Sequence, residues 1–249
     1  NYFRICFLDP FQGTVLANLA KSEFSAEKAY VLTKLGDDYS SGLGYNFTKA
    51  FKEAGGEVVA ETFNEGNSDF TSFLNTAKSQ NCDVIFAPVS LEAAQLIIEQ
   101  SASNEIGIPM LAGDTWDSNV VLNAAKDKDV DIYVTTFYQE GGNEKFDTDF
   151  KAWIESDNTN LTNNGGDSTI SAVSAMGYDA YFVALEAIKA AGSKNPGDVL
   201  KALPGVSYTG VTGLIEFNEI GDAKRDTAFV KKANTETGAW DFVAEQGVN

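Results

Sequence analysis

The chain has 249 residues, enough for one large or two small domains, and its 43% hydrophobic and 22% charged residues are ordinary for a globular protein. It carries 36 acids against 18 bases, and the net charge of −18 argues against nucleic acid and anionic membrane as partners. Solubility is the simpler explanation of this charge. Histidine is absent, which excludes Ser-His-Asp and Cys-His catalysis and histidine-based zinc sites.

Up to residue 137, short apolar runs alternate with amphipathic segments. We predict strands at residues 2–8, 29–35, 57–63, 83–88, 108–112 and 130–137. We predict helices at residues 12–24, 40–54, 68–79, 91–103 and 119–126, with Ser68 as the N-cap of the third. Strands that alternate with helices of about 10–15 residues indicate βαβ units and therefore a parallel sheet.

Residues 139–222 have a different pattern. We predict helices at residues 144–155, 168–191 and 196–203, a polar, turn-rich segment at 158–166 and a strand at 214–217. The long helix has a broad apolar face, so we expect it to be buried on more than one side. Because few strands are available to cover these helices, the sequence predicts one complete α/β domain plus part of another.

The end of the chain is predicted to be a hairpin, with strands at residues 227–232 and 239–243. The chain opens without an initiator methionine or a signal peptide, and no run approaches the roughly 20 apolar residues of a membrane span. We therefore expect a processed or cut form whose targeting segment is not shown. Cys6 and Cys82 lie in predicted strands, where they could pair or stay two buried thiols; their apolar neighbours favour buried thiols.

Ligands of parallel α/β sheets collect at the carboxyl ends of the strands, where four side chains stand out. Tyr39 offers a ring and a hydroxyl, and Asp114 is an acceptor suited to an ammonium group. Trp116 supplies an apolar or cation–π wall, and Ser90 precedes a helix whose amides could face an anion. Simpler alternatives stay open: Ser90 as an N-cap alone, Trp116 as packing between domains, and Tyr39 as a core residue. The neighbouring acids are interpreted as solvated or capping groups: Asp37, Asp38 and Asp117.

Motifs that would indicate catalysis or a cofactor do not occur. The sequence has no G-x-S-x-G, no Walker A loop and no Cys-x-x-Cys. Gly42-Leu43-Gly44 resembles the start of a dinucleotide fingerprint, but Phe47 stands where the third glycine should be, and the segment lies inside a predicted helix. The acidic run at residues 127–131 lacks the central glycine and terminal glutamate of a calcium loop. We therefore predict no cofactor, no metal site and no enzyme activity.

Short motifs occur in order along the whole chain. They are Phe3-Arg4-Ile5-Cys6-Phe7, Asp9-Pro10-Phe11-Gln12-Gly13, Gly36-Asp37-Asp38-Tyr39-Ser40-Ser41-Gly42, Phe51-Lys52-Glu53-Ala54-Gly55-Gly56, Asn67-Ser68-Asp69-Phe70, Gly113-Asp114-Thr115-Trp116-Asp117-Ser118, Gly177-Tyr178-Asp179-Ala180, Gly210-Val211-Thr212-Gly213 and Ile215-Glu216-Phe217. In these motifs the chain resembles the type I periplasmic solute-binding proteins of ABC transporters, specifically the branched-chain amino-acid (leucine/isoleucine/valine) family.

The resemblance implies two α/β lobes with flavodoxin-like parallel sheets, joined by three crossings, with a ligand closed between them. It implies a complete second lobe at residues 10–136 plus 225–249. The first lobe, at residues 1–9 plus 138–224, would be partial, because family members carry about another half-lobe before the position of Asn1. That piece would hold the loop for the ligand's carboxylate, so we expect this chain alone to bind ligand weakly or not at all.

The resemblance also implies roles for single residues. Tyr39 matches the family's second-lobe tyrosine against the ligand, and Asp114 matches the acid that pairs with the ligand's α-ammonium. Trp116 would flank the pocket for the ligand's side chain, and Ser90 falls where relatives often carry an aromatic or small polar residue. The first hinge crossing, near the cleft, matches Phe11 and Gln12.

As a function, the resemblance implies the extracytoplasmic solute-binding component of an ABC importer, in the periplasm or as a cell-surface lipoprotein. Its partners would be an amino acid and a membrane permease, and self-association through the incomplete lobe is a further possibility. Two other classes stay open: the extracellular sensing module of a receptor, and a flavodoxin-like enzyme. The lack of histidine and of a phosphate loop weighs against the enzyme.

Overall fold

The computed structural model describes residues 2–247 and divides into two compact units. The sheet unit, as we call it, comprises Asp9–Thr136 and the chain from Ala228 onward. The helical unit comprises Phe137–Thr227 and the chain up to Leu8. The assignment of these units to a second and a first lobe stays a prediction. Of the ranges predicted for the lobes, residues 1, 248 and 249 lie outside the described residues.

The described chain alternates helices and strands as far as Thr136. Its helices are α1 (Asp9–Phe24), α2 (Asp38–Glu53), α3 (Thr71–Ser79), α4 (Leu91–Ser103), α5 (Asn119–Ala125), α6 (Glu144–Glu155), α7 (Asn158–Asn163), α8 (Ala172–Ala191) and α9 (Pro196–Ala202). Its strands are β1 (Lys28–Lys34), β2 (Glu57–Phe63), β3 (Val84–Phe86), β4 (Met110–Ala112), β5 (Ile132–Thr136), β6 (Ser207–Gly210), β7 (Gly213–Glu216), β8 (Thr227–Asn234) and β9 (Ala239–Gly247). Within residues 2–247, no helix combines the length and the apolar character that a membrane span requires.

The sheet unit is organised on a seven-stranded sheet in the order β2-β1-β3-β4-β5-β8-β9. Strands β1 to β5 pair in parallel, and β8 pairs antiparallel with β5. The order β2-β1-β3-β4-β5 is that of flavodoxin-like folds, whose ligands bind beyond the carboxyl ends of the strands. The predicted α/β fold with a parallel sheet is confirmed.

Strand β1 shows why the strands are apolar without alternation. Tyr30 and Leu32 belong to one buried cluster, whereas Ala29 and Val31 belong to a second cluster with Phe47 of α2. Successive side chains of a strand point to opposite faces of the sheet. Because helices cover both faces, both sets of side chains must be apolar.

The sequence predicts that helix α1 begins at residue 12, but the helix begins at Asp9. A proline in the first turn of a helix loses no helical hydrogen bond, so the helix can include it. Helix α2 begins after Asp37, whose carboxylate accepts from the backbone N of Ser40 at 2.8 Å. The sequence interpreted Asp37 as a solvated or capping acid, and it is a capping acid.

Helix α3 corrects a predicted start. It begins at Thr71, three residues after Ser68, so Ser68 is not its cap. The carbonyl of Ser68 instead accepts from Gln100 Nε2 at 2.8 Å. Gln100 also accepts, through its Oε1, from the backbone N of Phe70 at 2.6 Å. Asp69 accepts from the backbone N of Thr71 instead. The segment before α3 is therefore fixed by α4, which local sequence cannot indicate.

The helical unit departs further from the predictions. Within residues 2–247, the predicted strand at residues 2–8 pairs only in one isolated bridge, between Arg4 and Asp222. Residues 158–166 contain helix α7, which Asp157 caps through the backbone N of Thr159. Strand β6, which pairs with β7, was missed because its sequence Ser-Tyr-Thr-Gly has no apolar pattern. The two cysteines, Cys6 and Cys82, form no disulfide; only Cys82 is buried.

Helix α8 is not buried on more than one side, which corrects another prediction. One face contributes Val183 and Ala187 to a small cluster with Ile215. Another face is open: Val173 is 62% exposed and Tyr181 65% exposed. Most members of this open face are small or aliphatic and lie at helical spacing. We call it the α8 stripe: Val173, Gly177, Ala180, Tyr181, Ala184 and Ile188.

Candidate functional site

Asp114 stands directly beyond the carboxyl end of β4, where the chain leaves Gly113 and forms a 3-10 turn over Asp114–Trp116. Its Oδ1 accepts from Gln12 Nε2 at 2.9 Å. The hydroxyl of Tyr39 donates to the same oxygen at 3.4 Å. Gln12 comes from the first turn of α1 and Tyr39 from the first turn of α2. The structure thus brings together three of the residues that the sequence singled out.

Gln12 is itself held in place. It is 1% exposed, and its Nε2 also lies 3.1 Å from Oγ1 and 3.3 Å from the carbonyl oxygen of Thr135. A buried amide with all of these partners has a fixed orientation. Gln12 therefore fixes the Asp114 carboxylate. Its predicted place at the first hinge crossing stays a prediction.

Gly113 allows the Tyr39 hydroxyl and the Asp114 carboxylate to lie close together. A Cβ at this position would overlap the Tyr39 hydroxyl and would lie 3.0 Å from a side-chain carbon of Leu43. The glycine is thus required by space, since its φ of −80° is open to any residue. Without the space left by Gly113, Tyr39 could not reach the Asp114 carboxylate.

The electrostatic setting of Asp114 favours a positively charged partner. Burial raises the pKa of its carboxyl, and the negative charge of Asp9 acts in the same direction; hydrogen bonds from Gln12 and Tyr39 act against them. Burial and the charge of Asp114 also raise the pKa of Tyr39, so its hydroxyl stays a donor. Among residues 2–247, no Lys or Arg forms an ion pair with Asp114.

Trp116 does not share this surface. Its ring is fully buried in the cluster that contains Val121 and Ile98, and its indole N–H donates to the carbonyl of Val89 at 3.1 Å. Its burial supports packing, although inside one unit, and its role at the pocket for the ligand's side chain stays untested.

Ser90 has a different set of neighbours. It occupies the N-cap position of α4 without accepting a hydrogen bond from the helix backbone. The pKa of the Glu92 carboxyl is lowered first by a hydrogen bond from its own backbone N–H and then by one from the Ser90 hydroxyl. It lines a cavity of about 430 Å³ with Lys34, Glu65 and Asn67. Its predicted role in binding stays untested. Phe11 lies beside Gln12 in α1 and is partly exposed.

Asp117 corrects a prediction. The sequence suggested a solvated or capping acid, but Asp117 is 3% exposed and pairs with the equally buried Lys231 of β8. Its Oδ atoms lie 3.0 and 3.2 Å from Lys231 Nζ. The cap of α5 is Ser118, which accepts from the backbone N of Val120.

Sequence reasoning missed Asp9 and Thr135 as parts of the site. Asp9 lies close to Gly42, and its charge acts on both Asp114 and Tyr39. Thr135 holds Gln12. The available signals were an acid at the start of the first helix and two consecutive threonines at the end of an otherwise apolar strand.

Comparison with known proteins places this chain in a family. A family model described as periplasmic binding protein matches residues 1–236. The Leu/Ile/Val-binding protein homolog 1 of Brucella suis is 28% identical over 228 residues, which cover 90% of this chain and 58% of that protein. The leucine-, isoleucine-, valine-, threonine- and alanine-binding protein of Pseudomonas aeruginosa is 24% identical over 226 residues, which cover 89% and 57%.

Solved structures agree with the fold. A leucine-binding protein from Thermotoga maritima is 30% identical, with a TM-score of 0.82 over 98% of this chain and 67% of that chain. A branched-chain amino-acid substrate-binding protein from Streptococcus pneumoniae, in complex with isoleucine, is 24% identical with a TM-score of 0.79 and coverages of 98% and 66%; it shows the fold alone. This chain spans about 58% of the length of the curated relatives that it matches. With a family model that matches nearly the whole chain, it belongs to the periplasmic binding protein family.

Proposed function

We propose that this chain is a solute-binding component of an amino-acid ABC importer and that Asp114 receives the α-ammonium group of the ligand. The observation that carries this proposal is the Asp114 carboxylate, which Gln12 and Tyr39 orient at the carboxyl end of β4 and which pairs with no Lys or Arg of residues 2–247. The protein binds its ligand and does no chemistry on it.

The charge balance of the site favours an amine as ligand. Burial penalises the ionised form of Asp114, and the nearby Asp9 adds to the negative potential. A ligand ammonium would supply the missing positive charge and form a charge-assisted hydrogen bond. A carboxylate or phosphate placed here would meet repulsion.

The names of the relatives support a narrower ligand class. The relatives from Brucella suis and Pseudomonas aeruginosa are named for binding leucine, isoleucine and valine, and the second also for threonine and alanine. Branched-chain amino acids are therefore the first ligands to test. By analogy with the family, the ligand bridges two lobes, and its higher affinity for the closed arrangement shifts the population toward closure.

The same proposal covers partners and location. A binding protein of this family works outside the cytoplasm and delivers its ligand to a membrane permease; it could be periplasmic or anchored as a lipoprotein. The α8 stripe supports contact between copies, because a face that includes Val173 and Tyr181 is exposed and apolar. Self-association through this stripe is part of the proposal.

The test is the replacement Asp114→Asn, followed by NMR titration with leucine, isoleucine and valine up to millimolar concentration, which detects weak binding. We expect the wild-type chain to show saturable shifts at Tyr39 and Asp114. Loss of a buried charge partner costs about 2–5 kcal/mol, so the variant should show no saturation. The matched control is Asp129→Asn, which changes an exposed acid of the same unit. Equal binding by Asp114→Asn and the wild type would contradict the assignment.

A further inference from the structure

The last two residues of β5 hold the Asp114 turn from opposite sides of the sheet. Side chains alternate along a strand, so Thr135 and Thr136 point to different faces. Thr135 bonds to Gln12, which bonds to Asp114. Thr136 donates from Oγ1 to Asp117 Oδ2 at 2.7 Å. One strand end thus supports both ends of the 3-10 turn.

The support on the second face is a buried ion pair. Lys231 and Asp117 have side chains 3% and 1% exposed, with Nζ and Oδ2 3.0 Å apart. The register of the sheet explains the contact, because Lys231 is directly opposite Val134 in the antiparallel pair of β5 and β8. Val134 and Thr136 lie on the same face of β5, so Lys231 reaches the carboxylate that Thr136 also contacts.

This pair is attached directly to the turn. The backbone N of Asp117 donates to the carbonyl of Asp114 at 3.0 Å and so closes the 3-10 turn. The Asp114 side chain faces Gln12, whereas the Asp117 side chain faces Lys231. A shift of Asp117 would therefore turn Asp114 away from Gln12 and Tyr39.

We propose that Lys231 is a positioning residue of the binding site, which acts through Asp117 to hold the Asp114 carboxylate in the orientation that receives the ligand. This inference rests on the proposed function. A lysine–aspartate pair in an apolar interior is a costly way to obtain stability alone, since apolar side chains of similar size often do as well. The pair does fix a geometry, because Lys231 and Thr136 together leave Asp117 one orientation.

The test is the double variant Lys231→Met/Asp117→Leu, which removes both charges and leaves neither unpaired. Two measurements are made on the whole chain: leucine affinity by NMR titration, and hydrogen exchange of the Gln12 side-chain amide without ligand. We expect leucine affinity to fall about tenfold and exchange at Gln12 to become about tenfold faster. The melting temperature should fall only by the few degrees that follow from the Thr136 hydroxyl, which loses its acceptor. A merely structural role would change the melting temperature and leave Gln12 protected.

The matched control is Lys232→Met. Lys232 is the next residue of β8, points to the other face and pairs with Asp131 at the surface; neither measurement should change. If the double variant does not fold, Thr136→Val removes only the hydroxyl that contacts Asp117, and a smaller change in the same direction is expected.

Wild-type affinity together with a protected Gln12 amide in the folded double variant, or in Thr136→Val if the double variant does not fold, would overturn the inference. If the wild-type chain does not bind leucine, the proposed function is in question, and the exchange rate at Gln12 still decides whether Lys231 positions the turn.

Discussion

The two units of this protein are stabilised in different ways. In the sheet unit, helices cover both faces of the sheet, and the aromatic side chains of Phe47 and Phe86 are fully buried. In the helical unit, Tyr181 and Trp153 are largely exposed, and a buried polar network contributes beside the apolar contacts. Local sequence pattern produces the same kind of amphipathic helix in both units, but the burial of a helix depends on whether a sheet covers its apolar face.

The polar network of the helical unit is centred on Asp179. Its carboxylate accepts from the backbone N of Val211 at 2.9 Å and of Thr212 at 2.8 Å, and also from the Thr212 hydroxyl. Arg225 donates to both the carbonyl and the hydroxyl of Thr212. The loop between β6 and β7 is thus bound to α8 by hydrogen bonds to a charged group, which are stronger than neutral ones.

The largest effect is expected in the sheet unit. Phe47→Ala removes a ring that stacks on Phe86 with 4.3 Å between centroids, and the cavity should cost about 3–5 kcal/mol of unfolding free energy. Urea unfolding combined with amide exchange in β1 and β3 measures it. Phe242→Ala, at a half-exposed ring, should change stability by less than about 0.5 kcal/mol. Equal effects at the two positions would show that burial between sheet and helix is not what stabilises this unit.

The next effect is expected in the helical unit. Asp179→Ala leaves the amides of Val211 and Thr212 without their acceptor, and we expect a loss of about 3 kcal/mol, confined to this unit. Amide exchange at these two residues should accelerate, while exchange in β1 and β3 stays unchanged. Glu219→Ala, which alters an exposed acid, is the control. A loss below about 0.5 kcal/mol would show that apolar contacts alone hold this unit.

The pH dependence of the site is expected to depend on one buried acid, Asp114. The folded pKa of Asp114 is raised by burial, so the native state binds its proton more readily than the unfolded state. The stability of the ligand-free sheet unit should therefore gain a contribution as pH falls through the raised pKa, while affinity for an ammonium ligand should fall in the same window. Urea unfolding and leucine titration between pH 7 and pH 4, about the range where such groups titrate, measure both.

Asp114→Asn should remove the pH trend in stability, and its lack of saturable binding leaves no affinity to follow. If stability and affinity of the wild-type chain changed in the same direction over this window, Asp114 would not be the group that receives the cation.

The smallest effect is expected on the α8 stripe. Ala184→Glu places a charge among exposed small residues, and helix propensity alone predicts a loss of less than about 0.5 kcal/mol. If copies associate through the stripe, sedimentation should show a weaker association for this variant than for Ala190→Glu, an exposed change elsewhere on α8. Identical sedimentation of the two variants and the wild type would exclude the stripe as the contact.

Much of the sheet unit could be predicted from sequence. Strand β2 and helix α4 have the predicted bounds, because apolar runs and helical periodicity are strong where both faces of the sheet are covered. The helical unit was predicted less well: strand β6 carries no apolar pattern, and residues 2–8 look like a strand but pair only at Arg4. Their conformation depends on residues that are distant in the chain.

The candidate site also combines features that the sequence predicts with features that depend on distant residues. The sequence by itself determined that Asp114 and Tyr39 stand at strand ends, since each follows an apolar run that must stop at the edge of a sheet. Only the tertiary structure decided which neighbours they have. It placed Gln12, 102 positions from Asp114, against that carboxylate, buried Trp116 in the core and paired Asp117 with Lys231, 114 positions away. Local pattern fixes where a strand ends, but packing of distant segments fixes what a side chain meets there, because burial and hydrogen bonding depend on neighbours in space.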